Sequence, residues 1–195
     1  DYQDAAYAAR YRRLVDRVRS AEAALGSTAL TESVARNLYK LMAIKDEYEV
    51  ARLYADPVFR RKLDELFEGD FRLNVHLAPP LLARPDPKTG QVAKLAFGPW
   101  IFTAFKWLAR ARRWRGTRWD VFGRSDERRL ERQLLADYEA DLTALLSRLN
   151  ANTLADAIAL SGLPESIRGF GHIKRRAIEA VAPQRDSLRS KLDLA

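Results

Sequence analysis

The chain has 195 residues, of which 47% are hydrophobic and 31% are charged, the balance of a soluble globular protein. Cysteine is absent, which excludes disulfide bonds, thiolate metal sites, iron–sulfur ligation and cysteine nucleophiles within this sequence. The formal charge of +8 favours an acidic partner, such as nucleic acid, an anionic cofactor or an acidic protein, although arginine used for solubility explains the same charge.

The sequence predicts neither membrane insertion nor secretion. No apolar run approaches the roughly 18 residues needed to cross a bilayer, and no signal-peptide pattern opens the chain. We therefore expect a cytoplasmic protein without membrane contact. Because the sequence begins at Asp1 and its only methionine is Met42, we also expect it to be a piece of a longer polypeptide.

Three helices are predicted before residue 68. The first, over residues 1–25, carries an apolar stripe at alternating spacings of four and three and stops at Gly26. Thr31 is the expected N-cap of the second, which continues without a break to residue 54. Asp56 followed by Pro57 marks the start of the third. The stripe of the first helix consists of Tyr7, Tyr11, Leu14, Val18, Ala21 and Leu25.

A β-hairpin is predicted at about residues 71–97. Apolar and polar residues alternate over 71–77, as in a half-buried strand, and Pro79–Pro80 ends this pattern. Residues 84–90 predict a turn-rich loop, and residues 91–97 can return as an antiparallel partner. Two strands alone are too few for a stable sheet, so the hairpin is expected to lie against helices.

Helices are predicted again from Pro99 to the end of the chain. A long one runs from Ser125 to Asn150, and Thr153 with Asp156 resembles a capping box for the next. Separate helices follow around Pro164, over 172–181 and over 183–192. The predicted fold class is therefore mainly α: a single α-rich domain over 1–195, with one small antiparallel hairpin and with residues 1–26 as a candidate helical arm.

No catalytic or metal-binding residues are predicted. The only histidines are His76 and His172, and neither has a second ligand at helical spacing. His76 falls on the polar side of the predicted strand. No Gly-x-Ser-x-Gly elbow is present.

A glycine-containing basic run at 168–174 is a candidate anion site. It places two glycines, an imidazole and cations at the start of a predicted helix, where exposed amides favour an anion. The alternative is a tight turn between helices in which Phe170 fills the core. The candidate ligand-binding residues of this run are Arg168, Gly169, Gly171, His172 and Lys174.

Lys45 and Arg52 are further candidates for the same site if the fold brings them to it. They lie in a densely charged helix in which Glu49 and Arg52 are three residues apart and can meet. A solvated or interdomain salt-bridge surface is the alternative.

The stretch from Lys106 to Trp119 interleaves cations with indoles, a combination suited to phosphates and stacked bases. Because Trp107 and Leu108 continue an apolar helix face, part of this aromatic content is expected in the core. No recognised nucleic-acid module accompanies the stretch, so a docking surface for an acidic partner is preferred to nucleic-acid binding. The candidate docking residues are Arg110, Arg112, Arg113, Arg115 and Arg118.

Four runs, in order along most of the chain, carry a family resemblance. They are TESVARNLYKLMAIKDEYEVARLY at 31–54, HLAPPLL at 76–82, FGPW at 97–100 and IRGFGHIK at 167–174. Together they resemble the C-terminal region of the long, fused indolepyruvate ferredoxin oxidoreductases.

The resemblance implies a parent enzyme of the 2-oxoacid:ferredoxin oxidoreductase class. Such enzymes oxidatively decarboxylate arylpyruvates to aryl-acetyl-CoA and pass electrons to ferredoxin through thiamine diphosphate and iron–sulfur clusters. In the family these parts lie upstream, and here Gly69–Asp70 is followed by Phe71 rather than by the glycine of a thiamine diphosphate motif. Thiamine diphosphate, iron–sulfur clusters and CoA are thus implied for the parent, and no cofactor is expected in this piece.

Three roles are open for such a terminal domain. The first is structural: it packs on the upstream catalytic domains of the same chain or forms a homo-oligomer, with helix 1–26 as an arm. The second is docking, in which the arginine-rich surface receives acidic ferredoxin or the phosphates of CoA. An independent nucleic-acid binder ranks last.

Overall fold

The computed structural model of the chain describes residues 2–77 and 93–194. Within them the structure contains eight α-helices and one two-stranded antiparallel sheet, which confirms the mainly α fold class. The chain divides into two compact units, and the single domain predicted from the sequence stays a prediction. Unit 1 is Asp1–Ile44 with Asp126–Ala195, and unit 2 is Lys45–Ser125. None of the helices in the described residues is both long and apolar enough to cross a membrane.

The helices, strands and 3-10 turns occur in the following order along the chain. They are α1 (Ala5–Glu22), a 3-10 turn (Ala23–Leu25), α2 (Ala29–Met42), α3 (Glu47–Ala55), α4 (Pro57–Leu66), β1 (Val75–Leu77), β2 (Leu95–Phe97), α5 (Ile101–Arg110), a 3-10 turn (Ala111–Trp114), α6 (Asp126–Leu146), α7 (Leu154–Gly162), a 3-10 turn (Leu163–Ser166) and α8 (Gly171–Lys191).

The predicted first helix of unit 1 is confirmed. Asp4 caps α1 by accepting a hydrogen bond from the backbone N–H of Tyr7 at 2.8 Å, and Leu14 and Val18 of the predicted stripe are buried. Gly26 ends the helical segment with φ of 64°, a left-handed conformation that favours glycine. From this stripe, Leu14 and Val18 lie in the hydrophobic core of unit 1, and Tyr7 and Tyr11 pack against that core, so these contacts are made within unit 1.

The predicted N-cap of α2 was wrong, because a carboxylate from α1 performs the capping. α2 begins at Ala29, two residues before Thr31, and Thr28 makes no side-chain cap. Instead the fully buried Glu22 accepts 2.8 Å hydrogen bonds from the backbone N–H groups of Leu30 and Thr31, and a 2.6 Å bond from the Thr31 hydroxyl. Burial alone would raise the pKa of Glu22, but these hydrogen bonds outweigh it and hold that pKa below its usual value.

The core of unit 1 lies among α1, α2, α6, α7 and α8. Its most completely buried leucines and valines come from the apolar faces of α1, α2 and α6, as the periodicity of those helices predicts. They are Val18, Leu30, Val34, Leu38, Leu142 and Leu145, to which Leu192 is added from the end of the chain.

Two predicted features of unit 1 were wrong. Thr153 does not form a capping box with Asp156, because its hydroxyl accepts from the backbone N–H of Asn150 and donates to a carbonyl of the preceding turn. The two helices predicted over 172–181 and 183–192 form one helix, α8, with Pro183 inside it. Pro183 has no N–H to donate to the carbonyl of Glu179, four residues earlier in the helix. Both residues are exposed, so water can hydrogen-bond to that carbonyl instead.

Unit 2 begins with a break that the sequence analysis missed. The predicted continuous helix to residue 54 was wrong, because α2 ends at Met42 and α3 starts only at Glu47. Asp46 forms the new N-cap, since its carboxylate accepts from the backbone N–H of Glu49 at 2.8 Å. The predicted start of α4 is confirmed, with Asp56 accepting from the backbone N–H of Val58 at 2.8 Å.

The hairpin of unit 2 is confirmed but shorter than predicted. β1 pairs with β2 in antiparallel register, with Val75 opposite Phe97 and Leu77 opposite Leu95. The predicted turn at 84–90 and the Pro79–Pro80 pair lie outside the described residues. Val75 is buried together with Ala51 of α3 and with Ile101 and Phe105 of α5, so the hairpin does pack on helices as expected.

Candidate functional site

One side of helix α5 is buried in unit 2, and another side is exposed. Ile101 and Phe105 are buried against α3, whereas Trp100 and Trp107 are 63% and 67% exposed. These indoles are seven residues apart, or about two turns, so they lie on the same side of the helix. The expectation that part of the aromatic content of this stretch lies in the core is wrong for Trp107, because the buried face passes through 101 and 105 and leaves residue 107 outside, whereas the neighbouring Leu108 packs on the core of unit 2.

All four tryptophans of the chain lie in one stretch, residues 100–119, which we call the tryptophan segment. Trp114 and Trp119 are 45% and 62% exposed. Arginine side chains lie over three of the rings, with guanidinium carbon to ring centroid distances of 5.1–5.9 Å. Each such pair contributes about 0.5–1 kcal/mol at an exposed site. The pairs are Arg110 on Trp107, Arg113 on Trp114, and Arg118 on Trp119.

The five candidate docking arginines are thus not equivalent. Arg110, Arg113 and Arg118 are exposed, and Arg112 is half-buried. Arg115 is 11% exposed and forms a bidentate ion pair with Asp46, with Nε–Oδ2 and Nη2–Oδ1 distances of 2.5 and 2.8 Å. This ion pair joins two residues of unit 2 that are 69 positions apart in the sequence, so the role of Arg115 is structural.

Asp120 organises the end of the tryptophan segment. Its buried carboxylate accepts from the backbone N–H groups of Gly116 at 2.8 Å and Gly123 at 2.9 Å, and from the hydroxyl of Tyr48 at 3.2 Å. Burial and the nearby Asp120 charge raise the pKa of Tyr48. The contacts hold a loop that exposes Trp119, so Asp120 positions part of the tryptophan segment without itself reaching the surface.

Of the candidates Lys45 and Arg52, only Arg52 lies on α3, and its charge is already paired. It forms a bidentate pair with Glu49, at 2.9 and 2.7 Å, and its Nη1 lies 3.9 Å from Asp56. The predicted Glu49–Arg52 contact is confirmed. Lys45 is exposed at the start of unit 2. Both belong to unit 2, whereas the glycine-containing run at 168–174 belongs to unit 1.

The run at 168–174 forms the turn that leads into α8. Gly169 has φ of 92°, and a Cβ at this position would fall 2.6 Å from Cγ2 of Ile173, so glycine is required there. Arg168 donates from Nε to the carbonyl of Glu165 at 3.1 Å. Phe170 is 65% exposed, so the alternative that this ring fills the core was wrong. Gly171 is half-buried and His172 exposed at the start of α8.

Cations gather near this turn, but they are largely engaged. Lys174 pairs with the buried carboxylate of Glu131 at 2.8 Å, and Arg128 pairs with the other oxygen of that carboxylate. Lys40 donates to the carbonyl of Pro164 at 2.6 Å. Burial, together with the charges of Arg168 and Lys174, lowers the pKa of Lys40. Lys174 thus joins α8 to α6, and Lys40 joins α2 to the 3-10 turn that precedes α8.

Within residues 2–77 and 93–194, no group of three or more histidine, cysteine, aspartate or glutamate side chains could hold a metal ion. His76 lies on β1 with its side chain exposed, as the alternation of the sequence predicts.

Comparison with known proteins gives one result. The model of a protein family described as a family of unknown function (DUF6537) matches residues 1–187. No curated protein and no solved structure matches the chain significantly.

Proposed function

We propose that this chain, which belongs to the DUF6537 family of unknown function, is a non-catalytic accessory domain of a larger arylpyruvate:ferredoxin oxidoreductase. It packs on the catalytic domains of the same polypeptide, and the tryptophan segment is its contact surface. The parent enzyme is inferred from the four runs that resemble the indolepyruvate ferredoxin oxidoreductases. The contact surface is inferred from one observation: every tryptophan of the chain is exposed within twenty residues of unit 2.

Exposed indoles at this density support an interface. Tryptophan and arginine are enriched at the energetic centres of protein interfaces, and a buried tryptophan removes on the order of 150–250 Å² from water. Burying the exposed two-thirds of Trp107 would therefore remove on the order of 100 Å², worth about 2–3 kcal/mol. Trp100 lies on the same side of α5 and adds to the same contact.

Interior charges support a scaffold rather than a catalytic role. Asp46 is paired with Arg115, and Glu131 with Lys174, at distances of 2.5–2.8 Å. Asp141, 4% exposed, receives both Arg185 at 2.7 Å and a second arginine of α8. Glu131 and Asp141 join α6 to α8, and Asp46 joins the start of α3 to Arg115, so each of the three carboxylates is occupied by a cation of its own unit.

A charge placed on the proposed contact should separate the domain from its catalytic partner. In the full-length protein we would compare Trp107→Glu with Tyr39→Glu, because Tyr39 is equally exposed, at 65%, on a helix of unit 1. Both variants remove an exposed ring from a helix and add one charge. We expect only Trp107→Glu to accelerate proteolytic cleavage between this domain and the rest of the chain and to lower arylpyruvate- and CoA-dependent dye reduction.

Controls separate folding from docking. Each variant of the isolated 195-residue chain is checked first by circular dichroism and thermal unfolding, where both should match the wild type. Equal behaviour of the two full-length variants would refute the contact surface. A full-length protein that reduces neither dye nor ferredoxin with any arylpyruvate would refute the parent assignment itself.

The exposed arginines favour a second candidate role, docking of acidic ferredoxin or of the phosphates of CoA. Arg110, Arg113 and Arg118 present positive charge beside the indoles. If they dock ferredoxin, a triple Ala variant should impair ferredoxin reduction while leaving dye reduction intact, and wild-type ferredoxin affinity should fall as salt rises. A salt-independent affinity, or equal loss of both activities, would refute this role.

A further inference from the structure

Unit 2 also contains an aromatic groove, whose lining includes Phe102 and Lys106 of the tryptophan segment but none of its four tryptophans. The groove has a volume of about 590 Å³ and is lined by the α3–α4 corner, by Phe71 and Leu73 of the segment before β1, and by the beginning of α5. This volume falls within the roughly 300–1,000 Å³ typical of small-molecule sites. Its walls are mostly apolar, and four of the residues that line it carry aromatic rings: Tyr54, Phe59, Phe71 and Phe102.

The aromatic walls are ordered by contacts within unit 2. The ring centroid of Tyr54 lies 5.2 Å from that of Phe59 and 6.4 Å from that of Phe102, both in edge-on geometry. The guanidinium of Arg60 lies 5.0 Å above Phe71 and is held there by a 3.0 Å hydrogen bond to Asp64. The groove therefore exists before any ligand enters, which reduces the entropic cost of binding.

The charges that line the groove are unbalanced. Besides Arg60, the cations Arg61 and Lys106 line it, and within the described residues neither takes part in an ion pair. The lining carboxylate is Asp56, which is already used by the backbone N–H of Val58 and lies 3.9 Å from Arg52. An incoming group opposite Arg61 and Lys106 is thus favoured if it is negative.

We infer that this groove binds a small organic anion with a planar aromatic ring. The ring stacks among Tyr54, Phe59, Phe71 and Phe102, and a carboxylate or phosphate faces Arg61 and Lys106. Both parts are needed. A purely apolar ligand leaves the cations uncompensated, and an inorganic anion leaves the aromatic walls in water. Because Lys106 lies one turn after Phe102 on α5, the same helix contacts both the aromatic ring and the charged group of the ligand.

Calorimetric titration of the isolated chain tests the inference with three probes of one shape. They are 2-naphthoate, 2-naphthyl phosphate and the uncharged 2-naphthol. We expect both anions to bind saturably and 2-naphthol to bind about tenfold more weakly, because it lacks the charged hydrogen bonds. The tighter of the two anions identifies whether the natural ligand carries a carboxylate or a phosphate.

Matched variants locate the site. Arg61→Glu and Lys106→Glu should each weaken naphthoate binding about tenfold, since an attraction is replaced by a repulsion of similar size. Lys62→Glu makes the same charge change one residue further along α4, at an exposed position that does not line the groove, and should leave the affinity within about twofold. Thermal unfolding verifies that each variant is folded.

Three results of the binding experiments would overturn the inference. They are the absence of saturable binding of either anion, equal affinity for 2-naphthol, and equal loss of affinity in Lys62→Glu and Arg61→Glu. A chain that dimerises in solution, and becomes monomeric in Arg61→Glu, would place a second copy of the chain in the groove instead of a small molecule.

Discussion

Removal of the Asp120 carboxylate should loosen the loop that presents Trp119. The side chain accepts two backbone hydrogen bonds, from Gly116 and Gly123, and one from the buried hydroxyl of Tyr48. Hydrogen bonds to charged groups contribute about 1.5–3 kcal/mol each, and a buried hydroxyl left without a partner costs about 1–3 kcal/mol. Because the two glycine N–H groups are near the surface and can be hydrated, we expect Asp120→Ala to lower the free energy of unfolding by about 2–4 kcal/mol.

Two conservative variants divide this loss among the contacts. Tyr48→Phe removes only the hydroxyl and should cost about 1 kcal/mol. Asp120→Asn keeps Oδ1, which serves Tyr48 and Gly123, but an amide N–H then faces the N–H of Gly116, so its cost should lie between those of Tyr48→Phe and Asp120→Ala.

Tryptophan fluorescence during urea unfolding is the appropriate assay, because all four tryptophans lie in unit 2 and none in unit 1. Acrylamide quenching in the absence of urea adds a local readout, since a displaced loop changes the accessibility of Trp119. If Asp120→Ala unfolds within about 0.5 kcal/mol of the wild type, the carboxylate does not hold this loop.

Three further predictions concern unit 1. Since hydrogen bonds hold the pKa of Glu22 below its ordinary value of 4.5, its contribution to stability is complete above that pH and is lost as the pH falls through the lowered pKa. The difference in unfolding free energy between wild type and Glu22→Gln should therefore shrink below about pH 4.5, and a constant difference would contradict the cap. Leu145→Ala should lower the free energy of unfolding, followed by circular dichroism, by about 2–5 kcal/mol, because removal of this fully buried side chain leaves a cavity. A loss under about 1 kcal/mol would show that the core collapses into the vacated space. Gly169→Ala should destabilise the chain by about 1–3 kcal/mol through its left-handed φ and the clash with Ile173, whereas an unchanged melting temperature would mean that the turn relaxes freely.

The sequence predicted those elements whose causes are local. The stripe of α1 with its stop at Gly26, and the Asp56–Pro57 start of α4, each depend on a few neighbouring residues. The break before α3 was missed although Asp46 is a good N-cap residue, because the surrounding residues are equally compatible with an unbroken helix. Pro183 was overvalued as a helix breaker, since an exposed position tolerates its missing hydrogen bond.

Features that depend on residues far apart in the sequence could not be predicted from it. The Glu22 cap reaches across a turn to α2, and the Tyr48–Asp120 contact spans 72 positions. The turn around Asp120 did carry a signal, because aspartate flanked by nearby glycines is typical of tight turns. The apolar helix face that Trp107 continues in the sequence predicted some burial of its aromatic content, whereas Trp107 is exposed, since burial within one unit depends on which helix face the rest of the unit covers.

Oxidative footprinting would test the central claim most directly, that the tryptophan segment is covered by the catalytic domains of the parent enzyme. Hydroxyl-radical labelling, read by mass spectrometry, is compared between the isolated chain and the full-length protein. Trp100 and Trp107 should be oxidised readily in the isolated chain and protected in the full-length protein, while the equally exposed Tyr39 reacts the same in both. Equal oxidation of the two tryptophans in both forms would contradict the proposed interface.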